Sequence, residues 1–370
     1  MRSLIPVALR IPLYQSFRAL GFPRVLPVNF TFSLTTRCNS RCLTCNIWKK
    51  RTNEFTPEEW QKVCQSLGNA PYWITISGGE PFLYRHLLAV CEAIGKYCRP
   101  GIVNIPTNSL IQGTASKVEK IAALVAPAQL IINLSLDGIG AEHDRIRGIP
   151  GNFARFQRNL NELLEVRQRA PNLSLGIHSV VSTYNIDRIE ELAAYARSLP
   201  VDQFITEMAE ERVELDTVGL PIAPDADKYF AVLDRLSADL ERRQARGIAR
   251  FTRAFRLSYY GLMKRTLEER TQVIPCFAGW ASAQIYPDGT VWPCCIRADS
   301  IANLRDVGYD FKMIWFGKEI EAVRRSIREK ECWCTLANAA YTNMLVHPPT
   351  LAQTGWRMLR PTRPERSKKE

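Results

Sequence analysis

The sequence predicts an α/β fold in which strand-like and helix-like segments alternate six times, followed by a small C-terminal domain. From residue 28 onward, short segments with strand patterns are each followed by a helix-like stretch. Glycine-rich and polar motifs stand directly after several of these strands, and from residue 276 the pattern changes to a hairpin between cysteines. Six β-then-α units in series indicate parallel strands joined by crossover helices, arranged either as a partial barrel or as an open sheet.

Each predicted element has a local signal. In segment 28–34 apolar residues alternate with polar ones, as in a half-buried strand. Thr56 is a suitable N-cap before Pro57, which opens the first crossover helix. The other predicted elements are strands 73–77, 102–106, 130–136, 173–181 and 203–206, and helices 84–97, 115–125, 153–169 and 186–198.

The rest of the chain divides by composition. Segment 207–225 is acidic and irregular, and 226–275 reads as a helical bridge. Strands 283–286 and 291–293 form a hairpin around a Pro-Asp-Gly-Thr turn, and a helix follows near 318–330. The predicted divisions are a basic amphipathic N-terminal segment (1–27), a core (28–225), the bridge (226–275), a hairpin-plus-helix domain (276–345) and a basic tail (346–370).

Composition is that of an ordinary globular protein, with 46% hydrophobic and 23% charged residues in a chain of 370. No apolar run reaches the ~18 residues that a membrane-spanning helix needs. The opening apolar stretch is short and broken by Pro6, so it is a poor signal peptide. We therefore expect a cytoplasmic protein.

Charge is distributed unevenly along the chain. The formal net charge is +12, and nine lysines or arginines precede Glu54, the first acidic residue. Basic ends can contact nucleic acid, an anionic membrane surface or an acidic substrate, or can serve as solubilising tails. Leu9, Leu13, Phe17 and Leu20 form a helical stripe. Such a stripe indicates a helix docked on its own domain or, less often, a peripheral membrane contact.

Three cysteines follow the first strand at C-x3-C-x2-C spacing: Cys38, Cys42 and Cys45. Three thiolates can ligate three irons of a 4Fe–4S cluster and leave the fourth iron open, since a fully ligated cluster needs four cysteines. The alternative is a zinc site completed by a distant residue. Gly78-Gly79-Glu80-Pro81 stands after the second strand. Its glycines allow close approach of the backbone, and Glu80 offers a charge-assisted acceptor for an ammonium group.

The cysteine triplet and the Gly-Gly-Glu-Pro motif resemble the cluster loop and the SAM-binding motif of radical S-adenosylmethionine (SAM) enzymes, over about residues 28–206. The resemblance implies a partial (β/α)6 TIM-like barrel. It implies a 4Fe–4S cluster on the three cysteines with SAM on the open iron. The SAM-binding positions that it implies are Gly78, Gly79, Glu80, Pro81, Asn108, Ser135, Asp137 and His178.

Several of these positions also suit purely structural roles. Asn, Ser and Asp cap turns routinely, and His178 would serve equally well as a core histidine. The residue before the third cysteine, commonly aromatic in this family, is Thr44 here, so adenine stacking at that position is in doubt.

The second cysteine group resembles a SPASM or twitch extension, which binds auxiliary iron–sulfur clusters. Cys276 and Cys294 flank the hairpin with Gly289 between them, and Cys332 and Cys334 follow. The resemblance implies one 4Fe–4S cluster on these four cysteines, with Cys295 left over. A zinc knuckle with four cysteine ligands is the alternative. Which four of the five cysteines are ligands stays open.

The resemblance implies reductive cleavage of SAM to a 5′-deoxyadenosyl radical, which abstracts a hydrogen atom from the substrate. An auxiliary cluster favours net oxidation. We place a sugar, cyclitol or lipid-linked substrate slightly ahead of a ribosomally made peptide. The alternative from another class is a non-catalytic iron–sulfur or zinc protein that binds nucleic acid. Against it stands the Gly78–Pro81 motif, because a binding module needs no SAM pocket. The family also implies an electron donor such as flavodoxin or ferredoxin. Glu207, Glu210 and Glu211 follow the sixth strand, where they would meet a substrate or form a solvated loop.

Overall fold

The computed structural model describes residues 5–242 and 248–359. Helices α1 (Ile5–Ala8) and α2 (Ile11–Leu20) come first. The alternating part comprises β1 (Asn29–Ser33), α3 (Pro57–Leu67), β2 (Trp73–Ser77), α4 (Leu87–Ala93), β3 (Ile102–Thr107), α5 (Thr114–Val125), β4 (Gln129–Ser135), α6 (Ala141–Arg147), α7 (Asn152–Arg169), β5 (Leu173–Val181), α8 (Ile189–Ser198) and β6 (Gln203–Met208). The C-terminal part comprises α9 (Ala226–Arg242), α10 (Ile248–Glu269), β7 (Ser282–Ile285), β8 (Thr290–Trp292), β9 (Ala302–Asn303), α11 (Phe311–Trp315), α12 (Glu319–Arg328), α13 (Ala337–Val346) and α14 (Pro348–Leu359).

The strands of the described residues form one open sheet in the order β6-β5-β4-β3-β2-β1-β7-β8-β9. Strands β1 to β6 pair in parallel with their sequence neighbours, so their carboxyl ends lie along one edge. Ser33 lies opposite Ser77, and Ser135 lies opposite His178. The predicted α/β fold with six parallel units is confirmed. Apolar side chains of the strands and crossover helices form the core, among them Phe30, Ile74, Val103, Ile132, Ile177, Val118, Leu160 and Leu192.

Helix α3 begins as its sequence predicts. The Thr56 hydroxyl accepts a hydrogen bond from the backbone N–H of Glu59 at 3.3 Å, and the Glu59 carboxylate accepts one from the backbone N–H of Thr56 at 2.7 Å. This capping box satisfies two N–H groups that a helix leaves unpaired. Helix α4 starts later than predicted because residues 81–83 form a 3-10 turn, whose carbonyl at Pro81 accepts from the N–H of Tyr84.

The hairpin β7–β8 is continuous with the main sheet. Strand β7 pairs in parallel with β1, with Asn29 opposite Ser282, and β8 pairs antiparallel with β7. Gly289 turns the hairpin at φ +91°, and a Cβ there would meet the Phe55 ring at 2.2 Å. Only glycine therefore allows the hairpin turn to pack on the core at this point. The sequence predicted the hairpin but not its place in the sheet.

The two ends of the chain pack on the domains between them. Helix α2 buries Tyr14 and Phe17, whereas Leu9, Leu13 and Leu20 of the predicted stripe are exposed. The segment expected to be a basic tail contains α14, which packs on α10 through a Ser258–Thr354 hydroxyl contact of 3.0 Å. The rest of that segment, 360–370, lies outside the described residues, as do 1–4. No helix in the described ranges has both the length and the apolar character needed to cross a bilayer.

Candidate active site

The three cysteines of the first group line one cavity at the carboxyl ends of the parallel strands. Cys38, Cys42 and Cys45 lie in an irregular loop after β1, and Ser77 to Pro81 face them from the end of β2. The loop is held by its backbone, since Arg41 N–H donates to Arg147 O at 3.0 Å and Leu43 N–H to Ile146 O at 2.9 Å. The predicted motifs of the first two units therefore meet at one place.

Two glycines allow the β2 turn to pack on the cysteine loop. A Cβ at Gly78, which has φ +125°, would meet Thr35 O at 2.3 Å, and one at Gly79 would meet Arg37 O at 2.3 Å. The N–H of Gly79 donates to Thr35 O at 2.7 Å. The close approach that the structure shows is thus between two loops of the protein, which fixes the position of Glu80 relative to the cysteines.

Glu80 is a buried carboxylate held by three donors. It accepts hydrogen bonds from Asn108 N–H at 2.8 Å, Thr107 Oγ1 at 3.0 Å and Phe82 N–H at 3.1 Å. Burial raises the pKa of Glu80 above its usual range, although these donors act in the opposite direction. A cationic group that enters the cavity would offset the cost of burying this charge.

Asn108 and Ser135 also line the cavity. The Asn108 amide donates to Asn39 Oδ1 at 2.7 Å and lies 3.7 Å from Cys38 Sγ. Its carbonyl oxygen accepts from Leu110 N–H at 3.0 Å, so Asn108 also caps a turn. This residue therefore combines a place in the cavity wall with the turn-capping role that its residue type allows.

Asp137 and His178, two further predicted SAM positions, are engaged elsewhere and are not among the described residues that line the cavity. Asp137 forms an ion pair of 2.9 Å with Arg147 and accepts from Val180 N–H at 2.9 Å. His178 Nε2 lies 3.5 Å from Glu207 Oε1. These two side chains position other residues of the site.

Arg147 is a residue of the cavity that the sequence analysis missed. It lines the cavity at the end of α6, and both members of its ion pair with Asp137 are largely buried. Burial lowers the pKa of Arg147, but the nearby Cys42 and Asp137 outweigh it, so the net shift is upward. Arg147 follows the Ser-Leu-Asp-Gly run, and a basic residue at that place was the available signal in the sequence. Because Arg147 and the cysteines are far apart along the chain, the sequence did not show that they are close in the fold.

The cysteines of the first group are partly buried. Burial raises the pKa of Cys38 to about 11 and that of Cys45 to about 12, while Arg147 acts in the opposite direction. No three histidine, cysteine, aspartate or glutamate side chains in the described part of the chain are gathered as closely as one metal ion requires. Because cysteine binds metal as the thiolate and not as the thiol, binding of iron to these cysteines releases protons.

The second cysteine group lines another cavity, in the C-terminal domain. Cys276, Cys294, Cys332 and Cys334 line it, whereas Cys295 does not. Burial raises the pKa of the Cys295 thiol, and the nearby Glu214 carboxylate adds to that rise. The Arg297 guanidinium lies 3.8 Å from Cys332 Sγ and donates to Ser326 Oγ at 2.7 Å. The four cysteines predicted to be ligands thus share one cavity, and Cys295 is not part of its lining. Which of the five cysteines are ligands stays a prediction.

Charged side chains at the end of β6 and in the loop after it lie between the two cavities. Glu207, Glu210 and Arg212 line the first cavity, and Arg212 Nη2 lies 3.4 Å from Glu207 Oε1. Glu210 Oε1 accepts from both the N–H and the hydroxyl of Thr335, the residue after Cys334. Glu211, the third acidic residue singled out in the sequence, is exposed and accepts from the N–H of Gly219.

Two family models match the chain. The model of the radical SAM superfamily matches residues 32–196, and that of SPASM, an iron–sulfur cluster-binding domain, matches residues 276–335. Together with the fold and the first cavity, these matches define an enzyme that binds a 4Fe–4S cluster and SAM. The chain belongs to the radical SAM superfamily and carries a C-terminal SPASM domain. The zinc alternatives and the non-catalytic alternative are therefore set aside.

Curated relatives and solved structures resemble most of the chain. It is 23% identical over 292 residues to the antilisterial bacteriocin subtilosin biosynthesis protein AlbA of Bacillus subtilis, which covers 77% of this chain and 59% of AlbA. It is 25% identical over 291 residues to the PqqA peptide cyclase of Ruegeria pomeroyi, covering 75% of this chain and 70% of the cyclase. SuiB of Streptococcus suis bound to SAM superposes with a TM-score of 0.61 at 14% identity, covering 88% of this chain and 74% of SuiB. The chain thus spans less than two thirds of AlbA, and the likeness to SuiB shows the shared partial-barrel fold.

Proposed function

We propose that this radical SAM enzyme oxidises a peptide substrate at an unactivated C–H bond. Support comes from the kind of relatives that it has. One is by name a cyclase of the peptide PqqA, and SuiB has been solved with its precursor peptide SuiA. These comparisons favour the peptide alternative over the sugar, cyclitol or lipid-linked substrate that the sequence analysis placed first.

The residues of the first cavity fit the cofactors of the family. Cys38, Cys42 and Cys45 supply three soft thiolate ligands, which suit three irons of a 4Fe–4S cluster. Glu80 offers a buried carboxylate for the SAM amino group. When bound, the reduced cluster and SAM supply a 5′-deoxyadenosyl radical that takes a hydrogen atom from the substrate. The electron comes from a donor such as flavodoxin or ferredoxin.

The contact between Glu210 and Thr335 is the observation on which net oxidation rests. Glu210 lines the first cavity and accepts a hydrogen bond from the Thr335 hydroxyl. Thr335 directly follows Cys334 in the chain, and Cys334 lines the second cavity. A substrate that contacts Glu210 would therefore be connected, through one hydrogen bond and one peptide unit, to a proposed ligand of the auxiliary cluster. When bound to Cys276, Cys294, Cys332 and Cys334, that cluster can accept one electron from the substrate.

Oxidation of a carbon radical also releases a proton, and Glu210 is placed to take it. Its Oε2 is buried and has no hydrogen-bond partner among the described residues. Burial raises the pKa of Glu210, with Arg212 and Thr335 acting against the rise. A carboxylate with a raised pKa and a free oxygen is suited to hold a proton at that atom.

The test is anaerobic turnover followed by mass spectrometry. Reconstituted, reduced protein receives SAM together with short peptides encoded beside its gene, and in a parallel reaction receives sugars and cyclitols. We expect 5′-deoxyadenosine and a peptide that has lost two hydrogen atoms, with neither product from the Cys38→Ala/Cys42→Ala/Cys45→Ala variant. Modification of a sugar but no peptide would overturn the substrate class. A product without net oxidation would overturn the role of the second cluster.

A further inference from the structure

The loop that carries the first cysteine group has a basic surface. Residues 37–53 include no acidic side chain, and five cations lie among them. We name these five the basic loop patch: Arg37, Arg41, Lys49, Lys50 and Arg51. Lys50 is half-buried, and the other four are exposed. The three cysteines of the same loop line the first cavity, so the patch lies beside the proposed cluster site.

Most charges of the basic loop patch have no carboxylate partner. Arg37 forms an ion pair of 2.9 Å with Glu54. Within the part of the chain that the structure describes, no such ion pair involves Arg41, Lys49 or Arg51. The patch therefore keeps a net positive charge, which attracts an acidic partner and repels a basic one.

Two contacts hold the patch against the loop after β6. Lys50 Nζ donates to Val213 O at 2.7 Å, and the Asn46 amide donates to Asp216 O at 3.0 Å. Asp216 is exposed and contributes one negative charge at this edge, which leaves the patch positive.

Arg41 connects the basic loop patch to a proposed cluster ligand. Its Nη1 donates to Cys38 O at 2.9 Å and to Ser40 O at 2.8 Å, and its guanidinium carbon lies 4.4 Å from the centre of the Trp48 ring. These contacts fix the guanidinium on the loop, although the residue stays exposed. Leu43, which is 38% exposed, adds an apolar side chain between two of the cysteines. A protein that contacts Arg41 is therefore one hydrogen bond away from the backbone of a cysteine that would hold iron.

We propose that the basic loop patch docks an acidic electron-carrier protein, which holds a flavin or an iron–sulfur centre and reduces the cluster. The carrier is oxidised by one electron and the cluster is reduced by one, and no bond forms or breaks. The inference rests on the proposed function, because reductive cleavage of SAM is what requires this electron. Small, charge-complementary interfaces suit carriers, which bind quickly and leave again. Nucleic acid is also attracted by cations, but proximity to a cluster ligand has value only for an electron carrier.

Binding of a bacterial flavodoxin to the full-length, cluster-loaded protein tests the docking site, measured by biolayer interferometry without oxygen. We expect reversible binding that weakens at high salt, because exposed charges are screened. The patch variant Lys49→Glu/Arg51→Glu should bind roughly tenfold more weakly, because each substitution sets a like charge against the acidic carrier. The matched control Lys120→Glu/Arg158→Glu reverses two exposed charges on α5 and α7 and should bind like wild type.

Turnover separates docking from chemistry. With flavodoxin as the reductant, the patch variant should need roughly tenfold more flavodoxin for half-maximal formation of 5′-deoxyadenosine. Enzyme that dithionite has already reduced should cleave SAM at the wild-type rate in both variants, because a small reductant needs no docking site. Failure of the dithionite-reduced wild type to form 5′-deoxyadenosine would count against the proposed function, whereas binding of flavodoxin needs neither substrate nor turnover.

Three outcomes would overturn the docking proposal. The first is no binding of either flavodoxin or an acidic ferredoxin, and the second is equal binding of flavodoxin by the patch variant and wild type. The third is a salt-dependent gel shift of RNA that the patch variant loses and that flavodoxin does not compete away, since the patch would then serve nucleic acid.

Discussion

The ion pair between Asp137 and Arg147 is predicted to be essential for the folded state of the cavity. In Asp137→Asn the side chain keeps its size and its contact with Val180 N–H but loses the charge that faces Arg147. The side chains of the pair are only 3% and 12% exposed, so the guanidinium remains buried without a counterion. Removing one partner of a buried pair costs about 3–5 kcal/mol. We expect the free energy of unfolding to fall by that amount, measured anaerobically by urea titration and tryptophan fluorescence.

A surface pair in the same protein provides the matched control. Asp187 lies 2.6 Å from Lys228, with side chains 72% and 56% exposed. Water screens this pair, so Asp187→Asn should leave the free energy of unfolding close to that of the wild type. If Asp137→Asn cost no more than Asp187→Asn, the ion pair would not be what holds Arg147 in the cavity.

Three further predictions concern other residues of the site. Cys295→Ala should keep the iron of the SPASM domain, measured by iron analysis and electron paramagnetic resonance, whereas Cys294→Ala should lose it. Glu210→Gln should slow formation of oxidised product by roughly 10²–10⁴-fold, the usual contribution of a positioned acid–base group, while SAM cleavage continues and the exposed Glu211→Gln behaves as wild type. Burial lowers the pKa of His143 to about 4, so between pH 6.5 and 4 the unfolded chain binds a proton that the folded chain does not. Stability should therefore fall as the pH falls through this window, by about 3 kcal/mol more than in His143→Gln, as followed by urea titration.

Each of these predictions has a contrary result. Loss of SPASM iron from the Cys295 variant would make that residue a ligand. Equal product from the Gln variants at positions 210 and 211 would remove Glu210 from proton transfer. A pH dependence of unfolding that is the same in wild type and the His143 variant would mean that the imidazole is protonated in the folded protein.

Local pattern was enough to predict the elements that bring the cysteines to the strand ends. Strand β5 has the predicted bounds, and the capping box at Thr56 begins α3 as expected. These features depend on residues near one another in sequence, where periodicity and capping chemistry are readable.

The side-chain contacts within the site were harder to predict from the sequence. The sequence did not predict that Asp137 pairs with Arg147 or accepts from Val180, because the orientation of a side chain at a strand end depends on neighbours from other units. Pairing of β7 with β1 depends on residues at opposite ends of the chain. No local pattern in either segment specifies such a partner, so the sequence predicted a separate hairpin.

The pairing of β1 with β7 also has a consequence for biosynthesis. Asn29 leaves the ribosome long before its partner Ser282, and at about 5–20 residues per second the delay is roughly ten seconds or more. During that time one edge of β1 stays open, and open strand edges promote aggregation. The cysteine loop follows directly from this strand, so iron loading during translation would take place on an incomplete sheet. Slower growth at low temperature and an ample iron supply should therefore improve the yield of the intact protein more than faster expression would.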